Sequence, residues 1–289
     1  MRKHHTEHYP QGYSYLNLLT ITALLVTASI FTGCSDDDNN NWEKTKLEGR
    51  PSKITSSTNG SIYFYYQSDK LIKIKEDKGS TSNFKYNGNE LIEVTYSPTD
   101  KNVADGNSIT TFSREGNIIT AKSSGEPSFY AYTQEIELGD NGLPAKISDK
   151  SLKEPGPEGK DLIMAAPTYI LYTYDDSGKN LIEKRIYDAK TNQLMTTYNY
   201  SYDSKPGIMS KTGLPGWFYI FREDSYNLNF MFLNYTNNLT KLSFKHSSEN
   251  MNITTNFAYK YTDNGYPSWL SKHMDGDVEE ASYDQAIEY

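Results

Sequence analysis

Cysteine and histidine are scarce in this chain of 289 residues. Cys34 is the one cysteine, which excludes an intramolecular disulfide framework, a zinc–thiolate cluster and a CxxC redox pair. After residue 33 only His246 and His273 remain, and neither lies near a G-x-S-x-G motif. We predict that both lie exposed at loops or strand ends, without a role in a Ser-His-Asp triad. There is no glycine-rich phosphate loop, and no cofactor is predicted.

A basic stripe is missing too. The formal net charge is −8, and it becomes −9 once residues 1–33, with two basic residues and one acidic residue, are set aside. A net-acidic chain of this kind argues against nucleic acid as a partner. The mean hydropathy is −0.73, yet 13% of the residues are aromatic. That aromatic content is too high for a disordered polar tail, so a folded domain is expected.

The longest apolar run is short. It covers residues 16–31, and 16 residues fall below the roughly 20 that a membrane-spanning helix needs. Arg2 and Lys3 precede it and small residues follow, which is the pattern of a secretory signal. The alternative is a buried N-terminal helix, which the strongly polar run that follows disfavours. We therefore predict that residues 1–33 are a lipoprotein signal peptide that is removed.

The end of this segment, Phe31-Thr32-Gly33-Cys34, resembles the lipobox of bacterial lipoproteins. The resemblance implies cleavage before Cys34 and a diacylglycerol group on its thiol, hence anchoring in the outer membrane. Asp36-Asp37-Asp38 and the asparagines that follow resemble the acidic export signal of Bacteroidetes lipoproteins, which implies exposure on the cell surface. The alternative is a plain solvated linker. We assign residues 34–52 to a flexible acidic tether, because an Asp/Asn run buries no apolar area.

Residues 53–289 predict one β domain. Apolar and aromatic residues alternate with polar ones, as in Ile253-Thr-Thr-Asn-Phe257-Ala-Tyr259, and Asn-Gly pairs at 87–88 and 141–142 mark tight turns. The predicted fold is all-β, an antiparallel β-meander forming a curved extended sheet built from repeated hairpins. No window of a dozen residues has helical periodicity. A short turn of helix is predicted only within residues 277–289.

Similar units recur along this domain. Apolar pairs that follow turn signals begin at residues 71, 91, 118 and 181, with a weaker copy at 143. Spacing near 25 residues corresponds to one hairpin per unit. The chain has 25 tyrosines but only four valines. Because tyrosine joins an apolar ring to a polar hydroxyl, this composition predicts a sheet whose second face is partly solvated.

Units such as Tyr172-Thr-Tyr174-Asp175-Asp-Ser-Gly178 resemble YD (Rhs-type) repeats. The order of three further motifs resembles a family of Bacteroidetes lipoproteins of unknown function; they are Tyr202-Asp203-Ser204-Lys205-Pro206, Asn237-Asn238-Leu239-Thr240 and Tyr259-Lys-Tyr261 followed by Gly265-Tyr266-Pro267. The likeness spans roughly residues 55–270. It implies a β-rich surface lipoprotein and supplies no catalytic residues.

Exposed aromatic rings stack on sugars and on partner proteins, so Trp217, Tyr219 and Trp269 are the candidate binding residues. The alternative is that Trp217 and Trp269 fill the end of the sheet as core. Calcium binding by Asp175 and Asp176, or by Asp275 and Asp277, is disfavoured because neither stretch has the spacing of a calcium loop.

The sequence therefore predicts a non-catalytic binding or structural lipoprotein. Its partners would be the membrane, through the N-terminal lipid, and a glycan or an outer-membrane protein. The alternative is a secreted polysaccharide hydrolase that uses carboxylates in a cleft.

Overall fold

The computed structural model describes residues 48–56, 60–77, 79–98, 107–125, 131–155, 161–162, 167–222, 231–247, 252–275 and 283–289. The predicted signal peptide and Cys34 lie outside these residues. The strands are β1 (Lys53–Ser56), β2 (Gly60–Gln67), β3 (Lys70–Glu76), β4 (Ser80–Asn87), β5 (Glu90–Pro98), β6 (Ser108–Glu115), β7 (Ile118–Gly125), β8 (Ala131–Leu138), β9 (Pro144–Pro155), β10 (Asp161–Leu162), β11 (Thr168–Tyr174), β12 (Leu181–Asp188), β13 (Leu194–Pro206), β14 (Asn237–His246), β15 (Asn252–Tyr261), β16 (Pro267–Asp275) and β17 (Tyr283–Glu288). A helix, α1 (Gly216–Phe221), and a 3₁₀ helix (Met231–Leu233) follow β13.

The strands close into a barrel. Apart from β10, each strand pairs antiparallel with its neighbours in the chain, β9 pairs with β11, and β1 pairs with both β2 and β17. The two-residue β10 pairs only with β9 among the described residues, so sixteen strands form the ring. The predicted antiparallel meander of hairpins is confirmed. The predicted open sheet is wrong, because the pairing of β1 with β17 leaves no free edge there.

Tight turns join the strands at one rim, which we call the short-turn rim. They lie between β2 and β3, β4 and β5, β6 and β7, β8 and β9, β11 and β12, and β15 and β16. Gly88 and Gly116 occupy two of these turns with φ of 57° and 61°. A side chain with a Cβ is strained at such values, which explains the glycine at these positions.

Alternation along the strands divides the wall into an apolar inner face and a polar outer face. In β3, Leu71 and Ile74 are buried inside the barrel, while Lys73 and Lys75 point outward. The same division holds around the ring, and the inward side chains form one continuous apolar cluster. Burial of this cluster provides the main stabilisation of the fold, at about 25 cal/mol per Å² of apolar surface.

The recurring tyrosines have a common structural role at the short-turn rim. Each lies at the end of a strand and donates its hydroxyl to a main-chain carbonyl at or beside the start of a neighbouring strand. These bonds are Tyr66 to Pro51 (3.0 Å), Tyr86 to Leu71 (2.9 Å), Tyr174 to Pro144 (2.7 Å), Tyr259 to Leu239 (2.7 Å) and Tyr289 to Pro267 (2.9 Å). The rings pack on the core, so tyrosine both fills space and satisfies a rim carbonyl.

Two elements differ from the sequence prediction. The stretch predicted to form a C-terminal turn of helix contains β17, whose Ile287 is buried against Ile54. The helix α1 lies in a segment for which no helix was predicted. It is only six residues long, too short to show a periodicity. Among the described residues, no helix has the length and apolar character needed to cross a membrane.

Candidate functional site

A long connection between β13 and β14 enters the barrel from the short-turn rim. We call residues 207–236 the plug; its residues 207–222 and 231–236 are described. The two ends of the plug meet, since the N–H of Gly207 donates to the carbonyl of Thr236 (2.9 Å). On the far side of the mouth, the N–H of Leu71 on β3 donates to the carbonyl of Thr212 (2.8 Å). The plug is thus attached to the wall at two separated places.

Aromatic packing holds the plug to the wall. The rings of Trp217 and Phe218 lie 5.0 Å and 6.0 Å from the ring of Phe112 on β6, both edge-on. Phe218 also meets Phe84 on β4 at 5.8 Å and Phe232 of the 3₁₀ helix at 6.0 Å. Such edge-to-face pairs add roughly 0.5–1.5 kcal/mol each beyond their buried area. This half of the interior is therefore a packed core.

The three predicted binding residues do not lie together. Trp217 and Tyr219 are buried on α1 inside the plug. The Tyr219 hydroxyl lies 2.6 Å from that of Thr212 and donates to the carbonyl of Met209 (3.1 Å), and burial raises the pKa of Tyr219. Trp269 is on β16, partly exposed on the outer wall. Of the three, Trp269 alone presents its ring to solvent.

Three motifs quoted for the family resemblance meet beside the plug. Asp203 accepts hydrogen bonds from the N–H groups of Lys205 (2.9 Å) and Asn238 (3.1 Å) and from the hydroxyl of Tyr261. The amide of Asn238 donates to the carbonyl of Pro206 (3.0 Å). Burial, and then the bond to Asp203, raises the pKa of Tyr261. These residues fix the point where the chain leaves and rejoins the wall, so their role here is structural.

Away from the plug's attachment the interior becomes polar. The buried polar residues there include Ser80, Ser108, Thr110, Ser123 and Gln285. Lys184 and Lys272 also point inward and are buried, with the Lys184 ammonium 4.3 Å from the ring centre of Tyr198. Burial lowers the pKa of Lys272.

One carboxyl in this polar region has a raised pKa. Burial raises the pKa of Glu76 to about 7, against the opposing effects of a hydrogen bond from Ser80 (3.4 Å) and the charge of Arg222. Arg222 follows α1 and comes from the plug. Burial lowers the pKa of Arg222, while Tyr132, Tyr96 and Glu76 raise it. A plug residue and a wall residue are thus electrostatically linked inside the barrel.

The outer wall is charged on every side. Outward positions on ten strands carry Lys73, Lys85, Glu93, Lys122, Glu137, Lys146, Glu183, Arg185, Lys241, Lys245, Lys260 and Asp284. A barrel wall in contact with lipid alternates the other way, with apolar residues outside, and a lysine or arginine at mid-bilayer costs roughly 2–4 kcal/mol. This wall is suited to contact with water.

The remaining predicted sites are spread out. His246 points inward at the end of β14 opposite Thr196, whereas His273 is exposed on the outer wall with its Nε2 2.8 Å from Asp275. Asp175 is a turn residue whose carboxylate accepts from Ser177, Lys179 and Asn180. Among the described residues, no group of three or more His, Asp or Glu side chains is placed to hold a metal ion. Asp277 lies outside them.

Two features were missed at the sequence level. The inward lysines interrupt an otherwise apolar strand pattern, as in Leu181-Ile-Glu-Lys184-Arg-Ile186, and that interruption was the available signal. The plug gave a weaker signal, the run Trp217-Phe-Tyr-Ile-Phe221 between prolines and polar segments. An apolar run of five residues can be a strand or part of a buried helix.

No protein-family model and no curated protein matches the chain. Solved structures are similar to it at low identity. A porin-like protein from Bacteroides uniformis is 13% identical, with 82% of this chain and 96% of that chain covered and a TM-score of 0.42. A porin-like protein from Bacteroides vulgatus is 14% identical, with 83% and 98% covered and a TM-score of 0.47. The resemblance to YD-repeat lipoproteins stays a prediction.

Proposed function

We propose that the chain is an outer-membrane lipoprotein whose barrel stands in water beside the membrane and serves as a non-catalytic binding or structural domain. The observation that carries the proposal is the charged outer wall around an apolar, plugged interior. A domain of this polarity cannot hold itself in a bilayer through its strands. Membrane attachment then requires another device, and the lipobox-like segment ending at Cys34 supplies one.

The path of the chain before β1 agrees with such an anchor. Residues 48–52 pack on the short-turn rim, where Arg50 donates to the carbonyl of Ser68 (2.7 Å) and Asn264 donates to the carboxylate of Glu48 (2.7 Å). The predicted tether therefore leaves the barrel at the rim that carries the plug. The lipid on Cys34 would therefore be connected to the barrel through that rim.

The plug supports a role in binding or structure rather than conduction. A ring of sixteen strands is wide enough to enclose an aqueous channel. Here, however, Trp217 and Phe218 pack against Phe112 of the wall across the short-turn mouth, and Phe232 packs on Phe218. The catalytic alternative, paired carboxylates in a cleft, is not favoured by any contact described above.

Fractionation of cells that express the full chain tests the proposal. The wild-type protein should remain with membranes after a wash in alkaline carbonate. A Cys34→Ser variant, with residues 1–33 exchanged for a cleavable secretion signal that needs no cysteine, should be released into the soluble fraction. Mass spectrometry should find residue 34 acylated at a new N-terminus. If Cys34→Ser withstands the carbonate wash, the wall itself is inserted and the proposal fails.

The surface location is tested separately by proteolysis of intact cells. A surface lipoprotein should be degraded by added protease, whereas replacement of Asp36, Asp37 and Asp38 by alanine should protect it by leaving it on the periplasmic side. The control replaces Asn39, Asn40 and Asn41 by alanine and should remain accessible. Protection of the wild-type protein would contradict surface exposure but not lipid anchoring.

A further inference from the structure

Trp269 sits on the outer wall with its two ring faces in different surroundings. It lies on β16 between inward-pointing neighbours, with Leu270 and Lys272 buried inside the barrel. On the β15 side it pairs with Lys260, whose ammonium is 4.7 Å from the ring centre. That contact covers one face and restrains the ring, since a cation over an indole is worth roughly 0.5–1 kcal/mol at an exposed site.

The other face looks over short side chains. On the β17 side Trp269 pairs with Ala286, which is exposed, and the next residue across the sheet is Thr55 on β1. Neighbouring strands lie about 4.8 Å apart, so these two residues make a floor about two strands wide. An alanine methyl is too small to cover an indole face, and Trp269 is accordingly partly exposed.

Carboxylates stand at both sides of this floor. Glu288 and Asp284 lie two residues to either side of Ala286 on β17, and both are exposed on the same outward face. Glu288 is held by Lys53 at 3.4 Å. With Lys260 and Lys53 opposite Asp284 and Glu288, the charges around the floor balance, which suits a neutral ligand rich in hydroxyl groups more than an ionic one.

One pair of outer-wall tyrosines is covered more completely. The rings of Tyr169 and Tyr187 stack on each other at 4.9 Å with 6° between their planes, and the ammonium of Lys146 lies 5.1 Å from the ring centre of Tyr169. Both faces of Tyr169 are therefore occupied. Tyr65 on β2 is also exposed, with the ammonium of Lys73 4.3 Å from its ring centre. Trp269 is therefore distinguished by its larger ring and by the small residues Ala286 and Thr55 beside it.

We propose that Trp269, with Ala286 and Thr55 as floor and Asp284 and Glu288 at the sides, is a subsite for one pyranose ring of a neutral polysaccharide. The apolar face of the sugar stacks on the open face of the indole, and the carboxylates accept hydrogen bonds from its hydroxyls, which are stronger than neutral ones. The inference rests on the proposed binding role and names its ligand class. It does not depend on the lipid at Cys34.

Affinity electrophoresis of the full mature protein in detergent micelles tests the subsite. The probes are starch, mannan, xylan and a mixed-linkage β-glucan, each cast into a native gel beside a plain gel. At least one should retard the wild-type protein. Trp269→Ala should weaken that binding by about tenfold or more, a change worth about 1.4 kcal/mol. Trp269→Phe should retain an intermediate affinity.

A second variant keeps the tryptophan and covers its open face. Ala286→Arg should place a long side chain over the floor and abolish retardation, while Tyr187→Ala, the matched control on the covered pair, should bind as the wild type does. Far-ultraviolet circular dichroism and a thermal melt verify that each variant is folded. The proposal is overturned if none of the four neutral polysaccharides retards the wild type, or if Trp269→Ala and Ala286→Arg bind normally.

Because acylation of Cys34 is measured independently, failure of the subsite and failure of the anchor give different results. If the protein is acylated but binds no neutral polysaccharide, the proposed location stands and the subsite proposal fails. If the protein binds one of these polysaccharides without an acyl group, the subsite proposal stands and the lipid anchor fails. Capture of an outer-membrane protein through Trp269, without glycan retardation, would also overturn the subsite.

Discussion

Two tryptophans on opposite sides of the same wall show how position decides the role of a residue type. Trp217 is inside the plug, 8% exposed, with the rings of Phe112, Phe218 and Phe221 within 6.4 Å. Trp269 is outside, partly exposed, and the ammonium of Lys260 lies 4.7 Å from its ring centre. Trp217 contributes buried apolar area to a packed core, whereas Trp269 offers exposed ring area to a ligand. Substitution of Trp217 should therefore lower mainly the stability of the protein, and substitution of Trp269 mainly its ligand binding.

The largest expected effect is on the inside. Trp217→Ala should lower the free energy of unfolding by about 3–5 kcal/mol, because it removes a buried aromatic side chain and leaves a cavity among rings that cannot close it. Urea unfolding followed by circular dichroism measures the change. Trp269→Ala, the matched substitution outside, should cost less than about 1 kcal/mol. Equal losses at the two positions would contradict the assignment of Trp217 to core.

The next effect concerns the attachment of the plug. A Cβ at Gly207 would lie 2.1 Å from the carbonyl oxygen of Asn234, a main-chain atom that cannot move without breaking the junction. Gly207→Ala should destabilise the protein by roughly 2–3 kcal/mol. The control is Gly88→Ala in a wall turn, where φ is 57° but the space is open, and where about 1 kcal/mol is expected. A smaller loss at Gly207 than at Gly88 would argue against a tight junction.

Local features of the fold were readable from the sequence. Alternation in β2, β13 and β15 predicts strands, and the Asn-Gly turns predict antiparallel neighbours, because both signals lie within a few residues. Closure of the sheet into a barrel could not be predicted from the sequence. It depends on the pairing of Lys53 with Glu288, which joins opposite ends of the domain and leaves no mark on either strand that differs from an ordinary edge.

The candidate site was harder to predict, for a reason visible in β16. In Pro267-Ser-Trp269-Leu270-Ser271-Lys272, neither alternating set is purely apolar. Trp269 and Ser271 form one set, Leu270 and the inward Lys272 the other, so the sequence cannot tell which set faces the core. Likewise Trp217 and Trp269 stand in aromatic surroundings in the sequence, and only the three-dimensional arrangement places one inside and one outside.

Charge inside the barrel gives a smaller, pH-dependent effect. The pKa of Glu76 is raised by burial from 4.5 to about 7, so the folded protein binds this proton more tightly than the unfolded chain does. The stability contribution of Glu76 is therefore highest below pH 4.5 and falls as the pH rises to about 7, by roughly 3 kcal/mol. Glu76→Gln should remove that slope, as measured by urea midpoints at pH 5 and pH 8.

The carboxylate of Asp175, in a turn at the rim, gives a pH dependence of stability with the opposite sign. Although burial acts to raise it, hydrogen bonds from Ser177, Lys179 and Asn180 lower the pKa of Asp175 to about 2. Its stabilising contribution is present above pH 4 and is lost as the pH falls toward 2. Asp175→Asn should therefore alter the profile only in acid and leave the slope between pH 5 and pH 8 unchanged. If Glu76→Gln also changes nothing there, Glu76 is not buried as described.

The smallest expected effect is at the tyrosine bonds of the short-turn rim. Tyr174→Phe keeps the ring against the core but removes the hydroxyl that donates to the carbonyl of Pro144 at 2.7 Å. Loss of one such hydrogen bond should cost about 1 kcal/mol in urea unfolding. Tyr187→Phe on the outer wall, where the ring is stacked on Tyr169 in contact with solvent, should cost less than about 0.5 kcal/mol.

Because the Tyr66, Tyr86 and Tyr259 bonds have the same geometry at separate places on the rim, combining Tyr174→Phe with Tyr86→Phe should give additive losses. A double variant as stable as the wild type would show that these tyrosines recur only to fill space and not to bind the rim carbonyls.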